Sequence, residues 1–182
     1  MVKGKTLPVL RGTRRITQFL ENEKTGVKIV VVEGIFVPSS LSLRKLMELA
    51  GPDTPGYSEI AAYIKAQPPA VVPAVTLPMV VLLNFGRVMT NKKIFRALPK
   101  MVSWEPLIPR ELFMLARDCS DLEVQLGCEK MTLASLYPCL RLCNCEAVCT
   151  VRWAGARRWA EAMYYDFGWS AETWFAYKQT KE

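Results

Sequence analysis

The sequence predicts one α/β domain, a layered sheet flanked by helices, on three observations. Strand and helix signals alternate along a chain of 182 residues. A hydrophobic content of 51% is enough to fill one core. No polar linker divides the chain, so residues 1–182 form a single domain with its core over about 14–163 and an aromatic, helical extension over 164–182.

Thr13 to Asn22 reads as a short helix. Gly26 to Val37 is rich in β-branched residues and bounded by Gly26 and Pro38, the pattern of a strand buried on both faces. Ser39, Ser40 and Ser42 offer caps for a helix ending near Gly51, with Leu43, Leu46, Met47 and Leu49 as its apolar stripe. A second helix is expected from Ser58 to about Gln67. Ala66 to Gly86 has no charged residue, but Pro68, Pro69, Pro73 and Pro78 break its first half. It reads as a buried extended segment followed by a short helix, not as a membrane span.

From Arg87 to Lys100 the charges are all basic: Arg87, Lys92, Lys93, Arg96 and Lys100. They interleave with Val88, Met89, Ile94, Phe95 and Leu98, which suits a basic amphipathic helix, either meeting an anionic partner or presenting a solvated face. Pro109 is placed as the first residue of a helix through Arg117, ending near Ser120. Leu122 to Leu126 alternates and reads as a half-buried strand delivering Cys128 to its C-terminal end, with Lys130 to Leu136 as the next helix. The tail carries Trp153, Trp159, Tyr164, Tyr165, Phe167, Trp169, Trp174, Phe175 and Tyr177 at mostly helical spacing, a composition that points to packing or a subunit interface.

Composition excludes several chemistries. The chain has no histidine, which removes Ser-His-Asp triads, Cys-His dyads and His metal sites. Six cysteines occur without a secretory signal pattern, so reduced thiols in an intracellular compartment, cytoplasm or mitochondrion, are expected. Lys3, Lys5, Arg11, Arg14 and Arg15 precede any acid, which fits organellar import or a solvated basic first element. A net charge of +7 favours anionic partners without choosing among them.

In an open α/β sheet, ligands gather beyond the C-terminal ends of the strands. Cys128 is expected at such a place. There a helix N-terminus and Lys130 would stabilise a thiolate, with Glu129 opposing, and the thiolate would carry sulfur as a persulfide. The plain alternative is a small buried apolar residue.

Glu111 to Leu136, ELFMLARDCSDLEVQLGCEKMTLASL, resembles the DsrE-like family of small sulfur-relay proteins: a helix, a short strand, then a cysteine before a Met-containing helix start, as Cys128 and Met131 stand here. Weaker matches are Gly26 to Leu46, Asn91-Lys92-Lys93-Ile94 and Ala154-Gly155-Ala156. The chain departs from the family in lacking a clear first strand, in its insert from Pro138 to Cys149 and in the tail after Met163. The resemblance implies a Rossmann-like, mostly parallel sheet, homo-oligomers and sulfur transfer through Cys128.

Cys139, Cys143, Cys145 and Cys149 follow the spacing C-x3-C-x-C-x3-C. Zinc or a cluster, disulfides and unbonded thiols all remain open, and on one helix the two pairs would point about 200° apart, so joint metal binding needs a turn near Asn144. No metal or cofactor is expected.

The leading functional expectation is a sulfur-relay protein with Cys128 as nucleophile. The alternative is a non-catalytic accessory subunit that docks through Arg87, Lys92, Lys93, Arg96 and Lys100. Its partners would be other proteins or further copies of itself. A third reading, a peripheral membrane or nucleic-acid binder using Arg152, Arg157 and Arg158 beside Trp153 and Trp159, ranks below these, and an integral membrane protein is not expected.

Overall fold

Nine strands among the described residues join one sheet, and every pairing but one is antiparallel. The computed structural model describes residues 16–67, 73–98, 104–142, 144–166 and 168–179. The basic residues before Ile16, together with Pro68, Pro69, Lys100, Cys143 and Phe167, lie outside them.

The expected mostly parallel, Rossmann-like sheet is therefore corrected to a mixed, predominantly antiparallel one. Tight hairpins are the reason, since parallel neighbours need long crossovers. β1 (Ile16–Asn22) and β2 (Val27–Val37) are joined by four residues, over which the Asn22 side chain accepts from the N–H groups of Lys24 (3.1 Å) and Thr25 (3.2 Å). Two residues separate β6 (Leu140–Leu142) from β7 (Cys145–Ala154), where Asn144 has φ 67°. β7 turns into β8 (Arg157–Tyr164) through Gly155, φ 59°, and Ala156, a glycine-first hairpin turn. Thr13 to Asn22 is thus a strand, not a helix, over its described part, and Ala154-Gly155-Ala156 is a hairpin turn, not a strand-to-helix turn.

The expected helical tail is also a correction. Trp159 and Tyr164 stand in β8, and Trp174, Phe175 and Tyr177 stand in β9 (Thr173–Gln179). β9 lies in the middle of the sheet. It runs antiparallel to β3 (Val75–Asn84) on one side; on the other it runs parallel to β5 (Lys130–Ala134) and antiparallel to β4 (Trp104–Pro106). The order is β1-β2-β3-β9-β5-β7, with β6 and β8 both pairing with β7.

Alternate side chains of the central strands enter two separate cores. Val30, Val32, Val80, Leu82, Trp174 and Ala176 face one, while Val31, Val81, Leu83, Phe175 and Tyr177 face the other. The first core is covered by α1 (Leu43–Ala50), α2 (Glu59–Ala66), α4 (Pro109–Asp118) and the short α5 (Leu122–Gln125). The second is covered by α3 (Asn91–Ala97) and the Trp169 segment. The helices over 43–50, 59–66 and 109–118 match the sequence reading, with Ser42 and Ser58 accepting from the N–H groups of Lys45 and Ala61 as N-caps. The segment before Gly86 supplies β3 up to Asn84, and its described residues form no helix between that strand and Gly86. No described helix is long and apolar enough to cross a membrane.

Two arginines fasten the helices through backbone carbonyls. Arg110 donates to Leu41 O (2.7 Å) and Pro38 O (2.6 Å), holding the β2–α1 connection. Arg158 of β8 donates to Leu49 O (2.9 Å) and Ala116 O (3.3 Å), setting one positive charge at the C-terminal turns of both α1 and α4. The loop after α1 completes this edge: Asp53 N–H donates to Arg158 O (3.0 Å), and Thr54 Oγ1 accepts from Ala160 N–H (2.8 Å).

Gly51 and Gly34 are required for different reasons. A Cβ at Gly51 would stand 2.4 Å from Ala160 N and 2.8 Å from Trp159 C, so α1 can lie on β8 only with no side chain there. Gly34 has open space around its Cβ position but φ +70°. It falls opposite Pro78, where β2 and β3 shift burial phase together: Val32 then Ile35, and Leu77 then Val80, are the buried positions. Gly51→Ala is expected to lower unfolding free energy by about 3 kcal/mol through overpacking against backbone. Gly34→Ala is expected to cost about 1–2 kcal/mol through the left-handed φ alone. Urea unfolding followed by tryptophan fluorescence measures both, and equal effects would contradict the separate causes.

Candidate functional site

Cys128 owes its position to how α5 ends. Gly127 takes φ 66°, its N–H donates to Val124 O (3.1 Å), and the Cys128 N–H donates to Glu123 O (2.8 Å), the paired bonds of a Schellman stop. Residues Leu122 to Gln125 are therefore a helix and Lys130 to Ala134 a strand, the reverse of the sequence reading. Cys128 lies on the lead-in to β5 instead of beyond a strand's C-terminal end, and among the described residues that share its cavity none is a helix N-terminus.

Its thiol is half-buried and within 3.7 Å of Leu126 O. Burial pushes the Cys128 thiol up from its ordinary value, and Glu172 and Glu123 act in the same direction. A hydrogen bond with Trp174 and the charge of Lys28 oppose this incompletely. The thiol lines a cavity of about 390 Å³ shared with Lys28, Lys130, Asn84, Glu172 and Trp174. Asn84 is the organiser that the sequence reading passed over. Its side-chain amide donates to Ala171 O (2.7 Å) and Thr173 O (2.9 Å) and accepts from Gly86 N–H (3.0 Å), holding the chain entering β9 against the end of β3.

The basic segment forms a coherent surface. Arg87, Lys92, Lys93 and Arg96 are exposed on and beside α3, and Arg87, Val88, Lys93 and Arg96 line a groove of about 420 Å³. Val88 is 66% exposed and Phe95 46%, so apolar groups stand in water among the cations. Ile94 and Met89 are buried beneath. Asn91 fixes this short helix: its amide donates to Tyr165 O and accepts from the Trp169 indole N–H (2.6 Å), while Met89 and Trp169 exchange backbone hydrogen bonds of 3.0 and 2.8 Å. The pairing of a buried asparagine with a buried tryptophan 78 positions away leaves no local sequence signal.

The arginine and tryptophan set named for nucleic acid is mostly engaged elsewhere. Trp153 is buried and donates to Ser120 O (3.1 Å), and Arg158 holds helix ends. Arg152 lies 5.6 Å from the Trp159 ring centroid and pairs with Glu161 at 3.3 Å.

Cys139, Cys145 and Cys149 fall on a hairpin, not a helix, so the partners are not those of helical spacing. Cys139 and Cys149 stand with their sulfurs 3.1 Å apart, while Cys145 is exposed. Among the described residues, no three cysteine or acidic side chains gather as metal ligands would. Searches against protein-family models, curated proteins and solved structures returned no match.

A raised thiol pKa sets the reactivity of Cys128, because only the thiolate reacts. Iodoacetamide should alkylate it more slowly at neutral pH than an unstructured peptide thiol, with the rate still climbing at pH where the peptide thiol has levelled off. Mass spectrometry of the Cys128 peptide over a pH series measures this. Faster labelling than the free thiol would mean that the local field outweighs burial.

Proposed function

We propose that this chain is a non-catalytic accessory protein that docks an acidic protein surface through Arg87, Lys92, Lys93 and Arg96. The observation that carries the reading is the exposure of Val88 and Phe95 inside that basic group. Interfaces pair a desolvated apolar centre with a charged rim, and a rim of one sign selects a partner of the other. These four side chains are all positive, as is the chain's net +7. Rigid seating by Asn91, Trp169 and Ile94 supports the same reading, since a preorganised surface loses little entropy on binding.

Size in native extract tests it. The full chain should elute with a partner well above its own 20.6 kDa and return toward free size as salt is raised. Lys93→Glu combined with Arg96→Glu should elute free even at low salt while keeping the wild-type far-UV spectrum. An assembly that survives the reversal, or a wild-type chain that is free at low salt, would overturn the reading.

A second reading, persulfide relay on Cys128, keeps one specific observation in its favour: the thiol lines a cavity with Lys28 and Lys130 in the same wall. Incubation with a persulfide donor should then place sulfane sulfur on Cys128, read by mass spectrometry, and an unlabelled Cys128 beside a labelled Cys145 would end it.

A further inference from the structure

A separate part of the molecule carries its own chemistry. We propose that Cys139 and Cys149 form a thiol–disulfide exchange site for small-molecule disulfides of the glutathione class, in which groove-facing Cys139 is the nucleophile and enclosed Cys149 resolves the mixed disulfide.

The two sulfurs approach to 3.1 Å, and their surroundings divide the labour between them. Cys139 immediately precedes β6, and its N–H donates to Ala147 O (3.1 Å), so the β6–β7 ladder fixes it beside β7. It opens onto a groove of about 310 Å³ lined also by Leu43, Tyr63, Arg110, Tyr137 and Pro138. Cys149 is only 2% exposed and faces the core with Ala147 and Val151. One sulfur borders the groove, and the other is enclosed behind it at 3.1 Å.

Electrostatics acts in the same sense. The Cys149 thiol hydrogen-bonds to Cys139 and holds it below the ordinary thiol range, while the same contact and burial push Cys149 well up. Tyr63, in the groove wall, is pushed up to about 12 by burial and by the neighbouring sulfurs, so it stays a neutral phenol. Arg110 lines the groove while its donors hold Leu41 O and Pro38 O, so what it adds there is a longer-range positive field, which suits an anionic disulfide such as oxidised glutathione.

The steps balance. The Cys139 thiolate attacks one sulfur of oxidised glutathione, the glutathione S–S bond breaks, and one glutathione thiolate leaves and takes up a proton. Cys149 then loses its proton to water or to a departing thiolate and attacks Cys139 Sγ. The Cys139–Cys149 bond forms, and the second glutathione thiolate leaves and is protonated. Two protein thiols are oxidised, one glutathione disulfide is reduced, and two protons pass to the products. Capping Cys139 removes the negative neighbour that opposes ionisation of Cys149, so the second step is favoured by the first.

The reduced full-length chain, equilibrated with graded ratios of oxidised to reduced glutathione, acid-quenched, alkylated and digested with trypsin, tests the proposal. Wild type should yield the peptides Met131–Arg141 and Leu142–Arg152 joined through Cys139 and Cys149, two hydrogen atoms lighter than the reduced pair, with fragmentation separating Cys149 from Cys143 and Cys145. Cys149→Ala, checked for folding by circular dichroism, should stop with one glutathione on Cys139. A Cys139 that stays unmodified at ratios where exposed Cys145 is glutathionylated, a bridge to Cys143 or Cys145, or no adduct on Cys139 in a folded Cys149→Ala would each overturn it. The wild-type cross-link decides the matter even if that variant does not fold.

Discussion

The structure depends on β9 being hydrogen-bonded along both edges and buried on both faces. From Thr173 to Tyr177 every side chain is buried, and the backbone pairs with β3 on one side and with β5 and β4 on the other. Such a strand satisfies its peptide groups only inside the sheet, so its burial and its pairing stand or fall together. At its far end the charge must be matched as well: Lys178 reaches Glu111 of α4 at 2.7 Å, and Glu111 also accepts from the Ile108 N–H (3.0 Å). A buried carboxylate left without that lysine would be strongly destabilising. One strand therefore joins the two halves of the sheet and ties them to the central helix.

Around that strand, the two faces have become different surfaces. On one, Arg110 and Arg158 spend their donors on backbone carbonyls of loops and helix ends, so these hydrogen bonds serve the scaffold. On the other, Asn91 and Trp169 anchor α3, and Lys92, Lys93 and Arg96 make no ion pair among the described residues. Net charge alone does not separate these cases. What separates them is whether a guanidinium or ammonium group has a structural acceptor within reach.

The sequence was most legible where local chemistry decides. Ser42 and Ser58 as caps, Pro109 at a helix start and the β-branched run of β2 all stand where reading them residue by residue put them. It was least legible where tertiary burial erases periodicity. Thr173-Trp174-Phe175-Ala176-Tyr177 is apolar on both faces, and a continuous apolar run does not distinguish strand from helix; its aromatic content and shortness were the better guide. Leu122 to Leu126 alternates by accident over too few residues, while Gly127 carried the stronger signal of a helix stop. That exchange moved Cys128 from a strand end to a strand lead-in and removed the helix dipole expected to activate it. The cysteine spacing misled similarly: helical geometry pairs Cys139 with Cys143, whereas a turn at Asn144 brings Cys139 back to Cys149.

The place of β9 also governs how the chain reaches this state. β1, β2, β7 and β8 close through hairpins of a few residues, but Val80 must find Lys178 and Thr132 must find Thr173. Without β9 in place, β3 and β5 would each present an apolar strand edge lacking its hydrogen-bond partner. Those open edges of β3 and β5 are templates for a strand from any neighbouring chain. Whatever holds β9 in the sheet therefore also guards this protein against misassembly through its own strand edges.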